Sequence, residues 1–160
     1  MVLAVSWATY LSSMQAFSSA GNSSPLRLDI EDQQLQTPPL ISIIDDDESM
    51  RCAVKSLVTS LGLKASTFAS AEEFLRSPQV EHTSCLISDV QMPGLSGVEL
   101  QKILLAQDRC IPIIFVTAFP EERMRTRAIE GGALGFLSKP FESQMLINLI
   151  EKAIEIGRKE

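Results

Sequence analysis

The sequence predicts an α/β fold: an open, five-stranded parallel sheet, doubly wound, with helices on both faces. Three observations carry this. From Leu40 onward, a short strand-like run is followed by a helix-period segment five times over. The clear strands are continuously apolar rather than alternating, which suits strands covered on both faces. Acids, a hydroxyl and a lysine recur just after the strands, the end at which such sheets bind ligands.

The elements follow in order. "LISII" (40–44) is apolar and stops at acids. "MRCAVKSLVTSLG" places Ala53, Val54, Leu57, Val58 and Leu61 on one helical face, and Gly62 closes that helix. "KASTF" is a weak strand, and Ser70 with Glu73 makes a capping box for "AEEFLRS". "SCLIS" is the third strand. Ser96 precedes "GVELQKILLAQ", a helix burying Val98, Leu100, Ile103 and Leu104. Pro112 opens the strand "IPIIFVT". "EERMRTRAIE" has a thin apolar stripe, Met124 and Ala128, and is stopped by Gly131 and Gly132. "LGFLS" is the fifth strand, and "ESQMLINLIEKAIEI" sets Met145, Leu146, Leu149, Ile150, Ala153 and Ile154 on one face.

Composition bounds the function. A chain of 160 residues holds one domain with a full core. The net charge of −6 argues against a nucleic-acid surface, so no direct nucleic-acid binding is expected. No apolar run reaches the roughly 20 residues that span a bilayer, so no membrane partner is expected. Cys52, Cys85 and Cys110 lack metal-ligand spacing and fit unpaired thiols in a reducing, cytoplasmic compartment. Cys52 and Cys85 read as packing residues. Residues 1–38 are rich in Ser, Gln, Asn and Pro and read as a flexible, disordered leader. Its apolar start lacks a basic n-region, since the first basic residue is Arg27.

The strand ends carry the chemistry. Asp45, Asp46, Asp47 and Glu48 follow the first strand, Asp89 the third, Thr117 the fourth, and Lys139-Pro140 the fifth. Carboxylates converging at one edge repel one another, and a hard divalent cation such as Mg2+ relieves this with oxygen ligands alone. A metal, an ammonium and a hydroxyl around one carboxylate suit a phosphoryl group, whose transfer depends on positioning and electrostatics. Asp89 is then the nucleophile, forming an acyl phosphate. Each piece alone has a plainer reading: an acidic N-cap, a surface turn, an ordinary strand residue.

With "IIDDDE", "SDVQMPGLSGVEL", "FVTA" and "LSKPF" in this order, the chain resembles the receiver domain of two-component response regulators. The resemblance covers residues 39–157, and the acidic and "KPF" segments are similar to the nitrogen-fixation-regulator subgroup. It implies a flavodoxin-like (βα)5 fold with strand order 2-1-3-4-5. It implies that Asp89 is the phosphoacceptor, that Asp46 and Asp89 ligate Mg2+ directly, and that Asp45 acts mostly through water. The backbone carbonyl of Gln91 completes the ligands, Lys139 pairs with a phosphoryl oxygen, and Thr117 donates its hydroxyl to the group. Phe136 takes the rotating aromatic switch position. Asp47 starts the first helix electrostatically.

The implied function is a phosphorylation-activated switch. A histidine kinase or phosphotransfer protein supplies the phosphoryl group, and the domain catalyses only its own phosphorylation and dephosphorylation. The fourth helix, fifth strand and fifth helix then change shape, for a partner, a second copy of the chain or an output domain. After Ile156 only "GRKE" remains, so an output domain is expected to be separate or lost. The sequence departs from the family's usual pattern at Phe119, two residues past Thr117, where small or polar residues are frequent. Phe119 and Gln91 are expected to border the path of the hydrolytic water and to tune the phosphoryl lifetime. The arginine run Arg123, Arg125 and Arg127 reads as a solvated face. Two alternatives are a haloacid-dehalogenase-type Mg2+-dependent phosphatase and a receiver-like module that is never phosphorylated.

Overall fold

Five strands form one parallel sheet in the order β2-β1-β3-β4-β5 in a computed structural model that describes residues 37–159. The strands are β1 (Leu40–Ile44), β2 (Lys64–Phe68), β3 (Thr83–Asp89), β4 (Ile113–Thr117) and β5 (Gly135–Ser138). The helices are α1 (Glu48–Ser60), α2 (Ala71–Arg76), α3 (Gly97–Ala106), α4 (Glu122–Glu130) and α5 (Ser143–Lys159). The expected leader falls almost wholly outside the described residues.

The apolar strands do cover both faces. One core joins Ile41, Ile43, Cys85, Ile87 and Ile114 to Val54 and Val58 of α1 and to Leu146, Ile150 and Ala153 of α5. The other joins Ile44, Leu86 and Phe115 to Phe74 of α2, to Val98, Leu100 and Leu104 of α3, and to Ala128 of α4. Alternate residues of one strand therefore serve opposite cores, which is why the central strands read as unbroken apolar runs.

Local signals hold with exceptions. Asp47 caps α1, its side chain accepting from Ser49 N at 3.0 Å. Gly62, at φ +80, ends that helix in a conformation open to glycine. The complete capping box belongs to Ser96 and Glu99. At Ser70 the box is incomplete: Ser70 Oγ accepts from Glu73 N, but the Glu73 carboxylate accepts from Ala69 N instead.

Ala53 and Cys52 are exposed, because the buried stripe of α1 narrows to Val54 and Val58 with Leu57 half-buried. Met145 is likewise half exposed, one residue before the buried Leu146. A 3-10 turn at Pro78–His82 was not anticipated; it fills the link from α2 to β3, burying Val80 and leaving His82 exposed. The α5 helix runs to Lys159, past the expected end at Ile156.

Candidate functional site

Parallel pairing places the ends of β1, β3, β4 and β5 along one edge. Ile44 pairs with Ser88, Asp89 with Val116, and Thr117 with Ser138. The residues immediately after these strands are therefore neighbours, although far apart in the chain.

Asp45, Asp46 and Asp89 each offer a carboxylate oxygen, and these oxygens lie within 4.8 Å of one another. Asp45 is 2% exposed and Asp89 7%, whereas Asp46 opens to solvent. Lys139 Nζ donates to Asp45 Oδ2 at 2.7 Å and to Asp89 Oδ2 at 3.2 Å. The remaining oxygens are also engaged. Asp47 N donates to Asp45 Oδ1 at 2.9 Å, and Gln91 N to Asp89 Oδ1 at 3.1 Å.

Burial raises the Asp89 pKa above the ordinary aspartate value, with Asp45 adding to the rise and the Lys139 ammonium opposing it. Burial works against the Lys139 charge, but the Asp45 hydrogen bond and the two nearby carboxylates outweigh it and hold the lysine above its ordinary value. One ammonium faces three carboxylates, so the site keeps net negative charge. An all-oxygen donor set of this charge and spacing fits a hard divalent cation.

Thr117 is 1% exposed, and its hydroxyl accepts from Phe119 N at 3.2 Å. Its carbonyl accepts from Lys139 N at 2.8 Å, tying the start of the lysine turn to the end of β4. Phe119 itself points outward, 70% exposed. Gln91 is also exposed, and its backbone N is bound to Asp89. Phe136 lies on the edge strand, half-buried, its ring centroid 6.5 Å from that of Phe115.

Three supporting residues escaped sequence reasoning. Arg51 Nη1 donates to the Asp45 carbonyl at 2.6 Å. Glu72 Oε1 accepts from Leu95 N at 2.9 Å, in the loop after Asp89. Gly97 lies so close to Asp89 that a Cβ there would overlap the Asp89 carbonyl oxygen. The sequence carried only a weak signal for Gly97, a glycine at the first position of a helix. It carried none for Arg51 or Glu72, which are ordinary helix residues. Cys85 is wholly buried and its thiol is pushed up to about 12, as a packing residue requires.

Residues 41–151 match the family model described as the response regulator receiver domain. Nodulation protein W of Bradyrhizobium diazoefficiens is 42% identical over 126 residues, which are 79% of this chain and 56% of that protein. Transcriptional regulatory protein FixJ of the same organism is 40% identical over 114 residues, 71% of this chain and 56% of that one. Among solved structures, FixJ-N superposes with a TM-score of 0.68 at 35% identity, covering 75% of this chain and 96% of that one. StyR superposes with a TM-score of 0.72 at 40% identity, covering 77% and 62%. The chain thus spans little more than half the length of the curated relatives it matches. It belongs to the response regulator receiver family, and the haloacid-dehalogenase alternative is not favoured.

Proposed function

We propose that this receiver domain, residues 39–157, takes a phosphoryl group onto Asp89 from the phosphohistidine of a histidine kinase or phosphotransfer protein. The carrying observation is a nearly buried carboxylate held between the Lys139 ammonium and the Gln91 amide, beside two further acids.

In the transfer, an Asp89 carboxylate oxygen attacks phosphorus, the P–N bond to the donor breaks, and its electron pair returns to the donor imidazole. Lys139 already lies on the acceptor and meets the incoming oxygens with positive charge. Asp45, Asp46, Asp89 and the Gln91 carbonyl are the residues that would hold Mg2+. When bound, that ion supplies further neutralisation of the transferring phosphoryl oxygens. Gln91 N keeps one Asp89 oxygen oriented during the attack.

The product adds charge and strong acceptor oxygens at the edge of the sheet. The Thr117 hydroxyl, which accepts from the Phe119 amide, turns to donate to the phosphoryl group. Phe136 then moves into the space released. The α4 helix responds readily, because its apolar contact with the core is confined to Ala128 and the half-buried Met124, with one hydrogen bond from Gln101 Nε2 to the Ala128 carbonyl at 3.0 Å. Its neighbours β5 and α5 complete the face offered to a second copy, a partner or an output domain. Among the described residues no helix is long and apolar enough to cross a membrane, and the free thiols suit a cytoplasmic setting.

Mass spectrometry after acetyl phosphate and Mg2+ tests the reading. One phosphoryl group is expected on the parent chain and none on Asp89→Asn. Labelling of the Asp89→Asn chain, or none of the parent, overturns it. Release of many equivalents of phosphate from a generic ester, with no single labelled adduct, would point to a phosphatase.

A further inference from the structure

The connection from Val90 to Ser96 carries Gln91 and follows directly from Asp89. Besides the bond from Ser96 N to Glu99 Oε2 at 2.8 Å that belongs to the α3 capping box, it is held at three points. Gln91 N reaches Asp89 Oδ1 at 3.1 Å, and Gly97 N reaches the Val90 carbonyl at 2.9 Å. Both are ties between the loop and its own flanking elements. The third comes from elsewhere: Leu95 N donates to Glu72 Oε1, on α2, at 2.9 Å.

The contact is built rather than incidental. Gly94 adopts φ +81, which turns the chain so that the following amide faces α2. A Cβ at Gly94 would overlap Glu72 Oε1, so the carboxylate occupies the room that a side chain would take. The α2 end is itself fixed. Ala71 and Phe74 are fully buried, and Ser70 caps the helix. The Leu95 amide is also the chief reason that the Glu72 carboxyl sits below its ordinary range.

We propose that Glu72 is a positioning residue for phosphotransfer: by anchoring Leu95 it fixes the far end of the loop that presents Gln91 to the acid cluster. The inference rests on the proposed role of Asp89 and Mg2+, but Glu72 touches neither. Its effect passes through the loop: Val90, Met92 and Leu95 still pack against the core, but without Glu72 the backbone loses its hydrogen bond to α2 and samples positions that turn the Gln91 backbone away. Hydrogen bonds made directly to ligating groups typically contribute about 10- to 100-fold to metal affinity, and Glu72, acting one step further out through the loop, falls at the lower end.

The full chain and two variants, Glu72→Ala and Glu72→Gln, provide the test. Magnesium affinity is measured by calorimetry, amide exchange over residues 90–96 in EDTA, and labelling by acetyl phosphate at saturating Mg2+. Glu72→Ala should lose about tenfold in Mg2+ affinity. It should also exchange the Leu95 and Gln91 amides faster and label more slowly. Glu72→Gln keeps an oxygen that can accept from Leu95 N, and it should recover most of the affinity and protection.

Parental Mg2+ affinity and loop protection in Glu72→Ala would overturn the proposal, even with a lowered melting temperature. So would a Glu72→Gln chain as impaired as Glu72→Ala. If Glu72→Ala fails to fold, Glu72→Gln is set against Gly94→Ala. Gly94→Ala displaces the same carboxylate and should lose Mg2+ affinity while Glu72→Gln keeps it; equal affinity in the two would overturn the proposal. A parent chain that binds Mg2+ but takes no phosphate would defeat the role of Asp89 while leaving the Glu72 anchor measurable.

Discussion

Lys139 lies closer to Asp45 than to Asp89, at 2.7 Å against 3.2 Å, although both oxygens belong to one acidic cluster. The ammonium therefore bridges two carboxylates before any phosphoryl group arrives. It compensates two nearly buried charges at once.

Removing that bridge should be costly without metal. Lys139→Ala leaves Asp45 and Asp89 almost buried and uncompensated, and breaking such a contact typically costs about 3 kcal/mol. The expected loss here is about 2 kcal/mol, since the lysine side chain is itself 18% exposed. Added Mg2+ should restore part of it by binding the folded state alone. Urea unfolding in EDTA and in Mg2+ measures both effects; an unchanged midpoint in EDTA would contradict the bridging role.

Asp89 should destabilise the metal-free fold at neutral pH. Its raised pKa means that the folded chain binds the proton more tightly than the unfolded one. The favourable contribution is complete below about pH 4, the ordinary aspartate value, and is lost as pH rises through the folded value. Asp89→Asn should then be more stable than the parent by about 1 kcal/mol at pH 7, with the gap closing toward acid. Denaturant titrations across pH in EDTA decide it, and a gap that widens in acid has the wrong sign.

Gly97→Ala should damage the site through the backbone. In an open helix the change is favourable by up to about 1 kcal/mol. Here the new Cβ would overlap the Asp89 carbonyl oxygen and lie 2.8 Å from a Phe115 ring carbon. Neither neighbour can retreat, because Asp89 is in the β3 ladder and Phe115 is fully buried. The expected loss is about 3 kcal/mol, together with slower labelling by acetyl phosphate. A neutral or stabilising result in thermal unfolding would show that the approach is looser.

If Phe119 borders the path of the hydrolytic water, as the sequence leads one to expect, Phe119→Ala should shorten the life of the acyl phosphate several-fold. At 70% exposure the ring contributes little packing, so the melting temperature should change little. The decay of labelled protein after removal of the donor gives the rate; an equal or slower decay would remove Phe119 from the control of hydrolysis.

Much of the fold was legible because its signals are local. Mostly apolar runs at 40–44, 84–88 and 111–117 marked buried strands, and their terminal acids and hydroxyl, with the lysine after the fifth strand, marked one edge of the sheet. Ala53 and Met145 misled for a definable reason. Helical periodicity gives the direction of the apolar face but not the width of the neighbouring element that covers it. The 3-10 turn at Pro78–His82 escaped because its only buried residue is Val80.

By itself the amino-acid order determined the alternation of strands and helices, the acids at the strand ends and the identity of the family they resemble. Those features are encoded within a few residues of each other or in a motif read in order. Only the tertiary structure decided that Lys139 holds Asp45 more closely than Asp89, that Glu72 grips Leu95, and that Gly97 must lack a side chain. Each of these depends on a distance between separate elements. Such distances are set by how two cores pack against a twisted sheet, which no local pattern encodes.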